Sequence, residues 1–346
     1  MISSSPRKMV FKPAGTEGVI NVGRINQIMQ SPNYADTSIL LFDRTRNVRK
    51  QTRSVLNGFG FRKFLEFDNL EDVGHALSSQ RVDIAVLNLD TLDCGILGMV
   101  KDIRGRKVGL DPFMPILLTS WLAKLESVQS FLDSGADDVL LYPFSTAQLA
   151  QRIDLLAQER KPFVVTEDYF GPDRRSSALI KKDPTSIKVP NAFRAQAFGL
   201  REEAPNTQSV DETLVKLRRM KLRNSSRRIW YLANCLKETF TDKKQPKLYQ
   251  QELITLRNSL AIYRKTLIAE DEEIVRSLFE TLSNLLDGMF GLAPSKRDLR
   301  LLEKSALALR LASRLDHEGG EADDAIMEEV ANFGRVRKKL DRLVLK

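Results

Sequence analysis

A chain of 346 residues is long enough for two domains of ordinary size, and 42% hydrophobic with 29% charged residues lets each bury a core. Two cysteines (Cys94 and Cys235) and two histidines (His75 and His317), with no CxxC, exclude a disulfide framework and a His/Cys metal site and fit a reducing, cytoplasmic setting. The net charge of +9 is local: residues 1–160 carry +1 and the remainder +8.

Residues 1–36 mix Ser, Pro, Gly and Lys, which predicts an extended N-terminal tail with at most a short helix at VGRINQIM. MISSSPRKMVFKPAGTEG has no apolar core, so no secretory signal is expected, and no apolar run is long enough to span a membrane. From Ser38 the character changes. SILLF, IAVLNL (84–89), MPILLT (114–119) and DDVLLY (137–142) are continuous apolar runs, as strands covered on both faces require; FRKFLEF (61–67) alternates, as an edge strand would. Helical patterns lie between and after them at 47–60, 69–80, 96–105, 123–136 and 145–160, with Asn69, Ser145 and several glycines at capping positions. Five strands alternating with five helices predict an α/β domain with a parallel, doubly wound sheet.

Residues 161–208 hold five prolines, two glycines and little periodicity, the composition of a linker. From 209 to 346 the chain reads as an all-α helical bundle of about five helices. SVDE (209–212) has a capping-box pattern. Tyr249, Leu253, Leu256, Leu260 and Tyr263, then Val275, Leu278, Leu282 and Leu285, keep a 3–4 spacing, and PSKRD (294–298) opens another helix. A last helix is expected on Ile326, Val330, Phe333, Leu340 and Leu343.

In a doubly wound sheet the site lies beyond the carboxyl ends of the strands. Those ends read LLFD-Arg44, VLN-Leu89, ILLTS and LLY-Pro143-Phe144. Together with Arg49 and SGADDVLLYPF, they make about residues 37–160 resemble the receiver domain of two-component response regulators, the CheY-like family. The resemblance implies a flavodoxin-like five-stranded fold, a cis peptide at Tyr142–Pro143, and a signalling role. It also implies roles at the strand ends. Receivers carry two adjacent acids for magnesium after the first strand; here Asp43 is followed by Arg44. They carry a phosphoryl-accepting Asp after the third; here Asn88. They carry a switch Thr or Ser, kept as Thr119, and a Lys before the strand-five Pro; here Tyr142 precedes Pro143. The aromatic switch position holds Val139.

An amide is a poor nucleophile, magnesium needs carboxylate oxygens, and an Arg in its shell repels it. Two like charges ~4 Å apart repel by roughly 4 kcal/mol at an effective dielectric near 20. The expectation is a degenerate receiver, a pseudo-receiver without metal or cofactor. A one- or two-residue shift would make Asp90 the acceptor instead, without repairing Arg44 or Tyr142. Two arrangements of the pocket stay open: Arg44 pairs with Asp43 and donates to Asn88, or Arg44 faces solvent and Asn88 satisfies loop backbone.

KLRRMKLRNSSRR places Lys216, Arg218, Arg219, Lys221, Arg223, Arg227 and Arg228 on one helix without an acid. This is either an anion-binding surface for nucleic acid or an anionic membrane, or a solvated face paired with EDEE (270–273). PDRRSS (172–177) resembles the arginine pair of PilZ domains that bind cyclic di-GMP, but the spaced third Arg and the barrel strands are missing. His75 is expected on the solvent side of its helix. No nucleophile, base and acid constellation appears, so no enzyme is expected. The primary expectation is phosphorylation-independent recognition of a protein partner in a signalling pathway. The surface would be Ala123–Ser134, Val139 and Gln148–Leu156, the face receivers use, with self-association left open. The alternative is a nucleic-acid- or membrane-associated regulator acting through 216–228.

Overall fold

The computed structural model describes residues 31–91, 95–175, 186–241, 246–268, 273–291 and 294–313. The continuous apolar runs form five parallel strands: β1 (Ser38–Phe42), β2 (Lys63–Phe67), β3 (Ile84–Leu89), β4 (Ile116–Ser120) and β5 (Asp138–Leu141). Their order is β2-β1-β3-β4-β5, with the alternating run at an edge as its pattern requires. Five helices connect and follow them: α1 (Arg46–Gly58), α2 (Leu70–Ser79), α3 (Ile96–Arg104), α4 (Leu125–Asp133) and α5 (Thr146–Gln158). Because side chains alternate along a strand, Ile39 and Leu41 face Leu56 of α1 and Leu149 and Ile153 of α5. Leu40 and Phe42 face Val73 of α2, Val100 of α3 and Phe131 of α4. Asn69 accepts from Asp72 N at 2.8 Å, and Ser145 makes a full capping box with Gln148. Tyr142–Pro143 is cis, as the resemblance implies.

The described parts of the stretch that reads as a linker, 161–175 and 186–208, are built into the fold. Phe163–Val165 (β6) and Phe170–Pro172 (β7) form an antiparallel hairpin, and Ala192–Ala197 (α6) packs on the α1/α5 face. Phe193 stacks with Tyr34 and Phe61, centroids 5.5 and 6.2 Å away. The end of the expected tail is held as well: Asn33 N donates to Ala197 O and Tyr34 Oη to Asp154, 2.8 and 2.7 Å. The hairpin docks at the amino-terminal end of the sheet, where Gly135 (φ 94°) and Gly171 meet backbone to backbone. A Cβ on Gly135 would stand 2.5 Å from the Phe170 carbonyl oxygen.

A buried cation organises this end. Arg104, at the last turn of α3, donates from Nε to Gly135 O, from Nη1 to Pro112 O and Met114 O, and from Nη2 to Asp137, each at 2.8 Å. Arg160 binds the other Asp137 oxygen at 2.7 Å. Phe163 lies against both guanidinium groups, 5.2 and 4.8 Å from its ring centre. Burial pushes the Arg104 pKa down to about 10, against the pull of Asp137. Arg174 and Arg175, the pair in PDRRSS, are absorbed here: Arg174 binds Ala136 O and Asp137 O, and Arg175 pairs with buried Asp173 at 2.7 Å.

Among the described residues four helices follow: α7 (Thr207–Thr241), α8 (Pro246–Thr266), α9 (Glu273–Gly291) and α10 (Lys296–Ala312). The 3–4 spaced residues of α8 and α9 form the core with Ile229, Ala233 and Leu236 of α7 and Leu302, Ala306 and Leu309 of α10. At ~1.5 Å per residue, α7 runs about 50 Å and serves two partners. Its first third packs Val210, Leu217 and Met220 onto Phe113, Phe163 and Val165 of the α/β unit, and the rest enters the bundle. Its cap differs from the SVDE reading: Asn206 Oδ1 accepts from Ser209 N at 2.8 Å while Ser209 Oγ accepts from Asn206 N at 3.0 Å. The expected last helix, VGRINQIM, Cys94 and His317 lie outside the described residues.

Candidate functional site: the mouth of the parallel sheet

The strand order reverses between β1 and β3, so the crevice lies at their carboxyl ends. Asp43 just past β1, Asn88 in β3 and Thr119 in β4 meet there, all buried. Asn88 and Thr119 are ladder partners, and Thr119 Oγ1 donates to Asn88 Oδ1 at 3.1 Å. Asp43 Oδ1 accepts from Thr45 N at 2.7 Å. Burial raises the Asp43 pKa above the ordinary carboxylate range; hydrogen bonds from the Thr45 backbone and the Asn88 side chain pull it back, and the Asp90 charge adds to the rise. Asp90 itself is exposed.

Tyr142 enters the same mouth from β5. Burial raises its hydroxyl pKa, against hydrogen bonds with the Thr52 and Thr119 side chains, while the Asp43 charge raises it further. Its ring stacks on Trp121 (4.7 Å, 14°) and tilts against Phe144 at 4.4 Å. The contacts that tie the crevice together thus run through Asn88, Thr119 and Tyr142. Arg44 is exposed at the rim, and Arg49 donates to the Asp43 carbonyl and pairs with Asp68 at 3.4 Å. Exposed Arg44 agrees with the solvent-facing arrangement, and the donor to the Asn88 amide oxygen is the Thr119 hydroxyl, which neither arrangement named. Among the described residues no acid, His and Cys cluster suited to a metal occurs.

Two large apolar side chains stand exposed beside this mouth, Trp121 at 59% and Leu125 at 81%, where β4 leads into α4. His75 is on the solvent side of α2, as expected.

The seven basic residues of α7 separate by face. Arg228 pairs with Glu167 at 3.2 Å and with Asp168 at 4.0 Å, both in the β6–β7 turn. Burial raises the Glu167 pKa, and Arg228, the Ser259 hydroxyl and Lys221 hold it down. Arg218 reaches the Thr266 carbonyl at 3.4 Å. Lys216, Arg219 and Arg227 are exposed, and Arg223 is half-buried. The acidic partner of Arg228 is therefore the hairpin turn, and most of EDEE lies outside the described residues. A neighbouring pair, Arg106 and Asp211 at 2.5 Å, further fastens α7 to the α/β unit. No helix among the described residues is long and apolar enough to cross a membrane.

No protein-family model matches the chain. The response regulator MprA of Mycobacterium tuberculosis is 32% identical over 124 residues, 36% of this chain and 52% of that protein. The KDP operon transcriptional regulatory protein KdpE of Escherichia coli is 26% identical over 117 residues, 34% of this chain and 49% of that protein. The chain thus spans about half the length of the curated relatives it matches. Among solved structures, the chemotaxis protein CheY4 of Vibrio cholerae (19% identity, TM-score 0.31) is matched over 34% of this chain and 96% of that one. The receiver domain of a histidine kinase from Syntrophus aciditrophicus (18%, 0.31) is matched over 34% and 87%. The N-terminal α/β unit is a CheY-like receiver domain.

Proposed function

We propose that this chain is a two-component-type signalling protein whose receiver domain has given up phosphoryl transfer and acts as a protein-recognition module of fixed conformation. The observation that carries the reading is the side-chain closure of the crevice. Asn88 is bonded to Thr119, and Tyr142, its ring stacked on Trp121 and tilted against Phe144, stands where a receiver has a Lys. The amide offers no anionic oxygen to a phosphoryl group, Arg44 opposes a metal ion beside Asp43, and the phenol is neutral at pH 7. The degenerate set is Asp43, Arg44, Asn88, Thr119, Tyr142 and Pro143. Partner recognition is assigned to the α4–β5–α5 face, on which exposed Leu125 and the Trp121–Tyr142 stack supply apolar anchors.

The test is incubation with acetyl phosphate and magnesium, read as intact mass and on a phosphate-affinity gel. No incorporation is expected. A hydroxylamine-labile phosphate on Asp90 or Asp43 would restore a working receiver and remove the reading.

Exposed Lys216, Arg219 and Arg227 support a second reading, in which α7 contacts a polyanion such as nucleic acid or an anionic membrane. Retention on heparin that falls steeply with salt and is lost on reversing these three charges separates it from the first.

A further inference from the structure

Where the receiver domain, the β6–β7 turn and helices α7 and α8 meet, they enclose a cleft of about 510 Å³, within the range of small-molecule sites. It lies at the opposite end of the sheet from Asn88. Its lining holds six cations, Lys101, Arg104, Arg106, Arg218, Lys221 and Lys265, against three acids, Asp133, Glu167 and Asp168. Several of these charges are already spent. Arg104 uses four of its five N–H donors on Asp137 and three carbonyls, Arg106 pairs with Asp211, and Glu167 pairs with Arg228 from outside the lining. Lys101, Lys221 and Lys265 have no carboxylate within 4 Å among the described residues. They come from three different helices, α3, α7 and α8, which folding brings to one cavity. Like charges gathered this way oppose docking of the domains unless an anion joins them. The rest of the wall is apolar, with Val165, Phe170, Leu214 and Leu217.

We propose that this cleft binds a small, multiply phosphorylated molecule with a flat apolar part, of the nucleoside di- or triphosphate class. The lysines take the phosphates and the apolar wall takes the base. A ligand seated there touches both domains at once, so its binding energy holds them in the docked arrangement and stabilises the folded chain by mass action. This inference is independent of whether the receiver crevice accepts a phosphoryl group, because it uses none of the same residues.

The experiment is calorimetric titration of the full chain with ATP, GTP and inorganic pyrophosphate, with thermal unfolding read in parallel. Three variants are compared: Lys221→Glu/Lys265→Glu, Lys101→Glu, and Lys216→Glu, which changes an α7 cation outside the cleft. A nucleoside triphosphate is expected to bind the wild type and raise its unfolding midpoint. Binding is expected to weaken at least tenfold on either cleft variant, to stay unchanged on Lys216→Glu, and to exceed that of pyrophosphate. Circular dichroism and unliganded melting show which variants remain folded, and Lys101→Glu, on an exposed side chain, is the second reading if the double variant does not fold. The proposal is overturned if no probe binds at millimolar concentration, or if Lys216→Glu weakens binding as much as the cleft variants. It is also overturned if a probe binds only after Glu270, Asp271 and Glu272 are replaced by amides, since the chain's own acidic segment is then the occupant.

Discussion

Thr119 and Asn88 face one another in register on β4 and β3, and the hydroxyl donates to the amide oxygen at 3.1 Å inside a buried pocket. An Asp in place of Asn88 would still accept this bond, but it would bring a second buried carboxylate to Asp43, with Asp90 close by. Asn88→Asp is therefore expected to destabilise the chain at pH 7 by about 1–3 kcal/mol. The loss should shrink as the pH falls and a carboxylate takes up a proton. Magnesium should leave the single variant unchanged and should restore stability only when Arg44→Asp is added, because the second acid completes an oxygen shell. Thermal unfolding with and without magnesium chloride reads both effects; rescue of Asn88→Asp alone would mean that Arg44 does not obstruct the metal position.

Asp43 supplies a prediction with a definite sign. Its pKa is raised in the folded chain, chiefly by burial, so the folded state holds its proton more tightly than the unfolded state. Stability therefore falls as pH rises from the ordinary carboxylate pKa through the raised folded value, and the penalty is fully present above that window. Asp43→Asn removes the charge and can keep the acceptor for Thr45 N. It is expected to raise the unfolding midpoint at pH 7 by about 2 °C, roughly the effect of ~1 kcal/mol in a domain of this size. The gain should disappear below the ordinary carboxylate pKa. A variant less stable than wild type at pH 7 would show that the bonds to Thr45 and Asn88 outweigh burial.

The stacked pair Tyr142 and Trp121 gives an optical readout of the crevice. Tyr142→Ala leaves one face of an already exposed indole to water, so Trp121 emission should shift to the red and strengthen in quenching by iodide. The other tryptophan, Trp230, lies in the helical bundle against Arg310 and should not respond. Magnesium added to the wild type should leave the spectrum unchanged; a saturable magnesium-dependent quench would place an ion in the crevice and contradict its closure.

The fold was largely legible because its strands announce themselves. SILLF and IAVLNL are apolar at nearly every position and became β1 and β3 with the same ends. The crevice residues followed, since strand ends and topology place Asp43, Asn88, Thr119 and Tyr142 together. Their bonding did not follow: that Asn88 accepts from Thr119, and that Arg49 reaches the Asp43 carbonyl, depends on side-chain directions no spacing encodes. The hairpin and α6 were invisible for a different reason. Three-residue strands and a six-residue helix carry too little periodicity to see, and long-range contacts such as Phe193 on Tyr34 and Gly171 on Gly135 hold them. The charges on α7 look equivalent in sequence; only the neighbouring Glu167 turn separates Arg228 from Lys216.

The Arg104 hub tests whether the hairpin and the receiver domain are one folding unit. Arg104→Met keeps most of the side-chain length but removes donors from three carbonyls and one of the two guanidinium groups on Asp137. Unsatisfied buried groups and a half-paired buried carboxylate put the expected loss at about 3–5 kcal/mol. Phe163 loses one of its two cation partners in the same change, so the hairpin should loosen with the core rather than after it. Urea unfolding followed by tryptophan emission, together with amide exchange of residues 163–172, checks this. A single transition at lower urea, with exchange in the hairpin rising to match β4 and β5, is the expected result. A loss under 1 kcal/mol, or hairpin exchange that changes while β4 and β5 keep theirs, would mean that Asp137 is held well enough by Arg160 and that Arg104 only fills space.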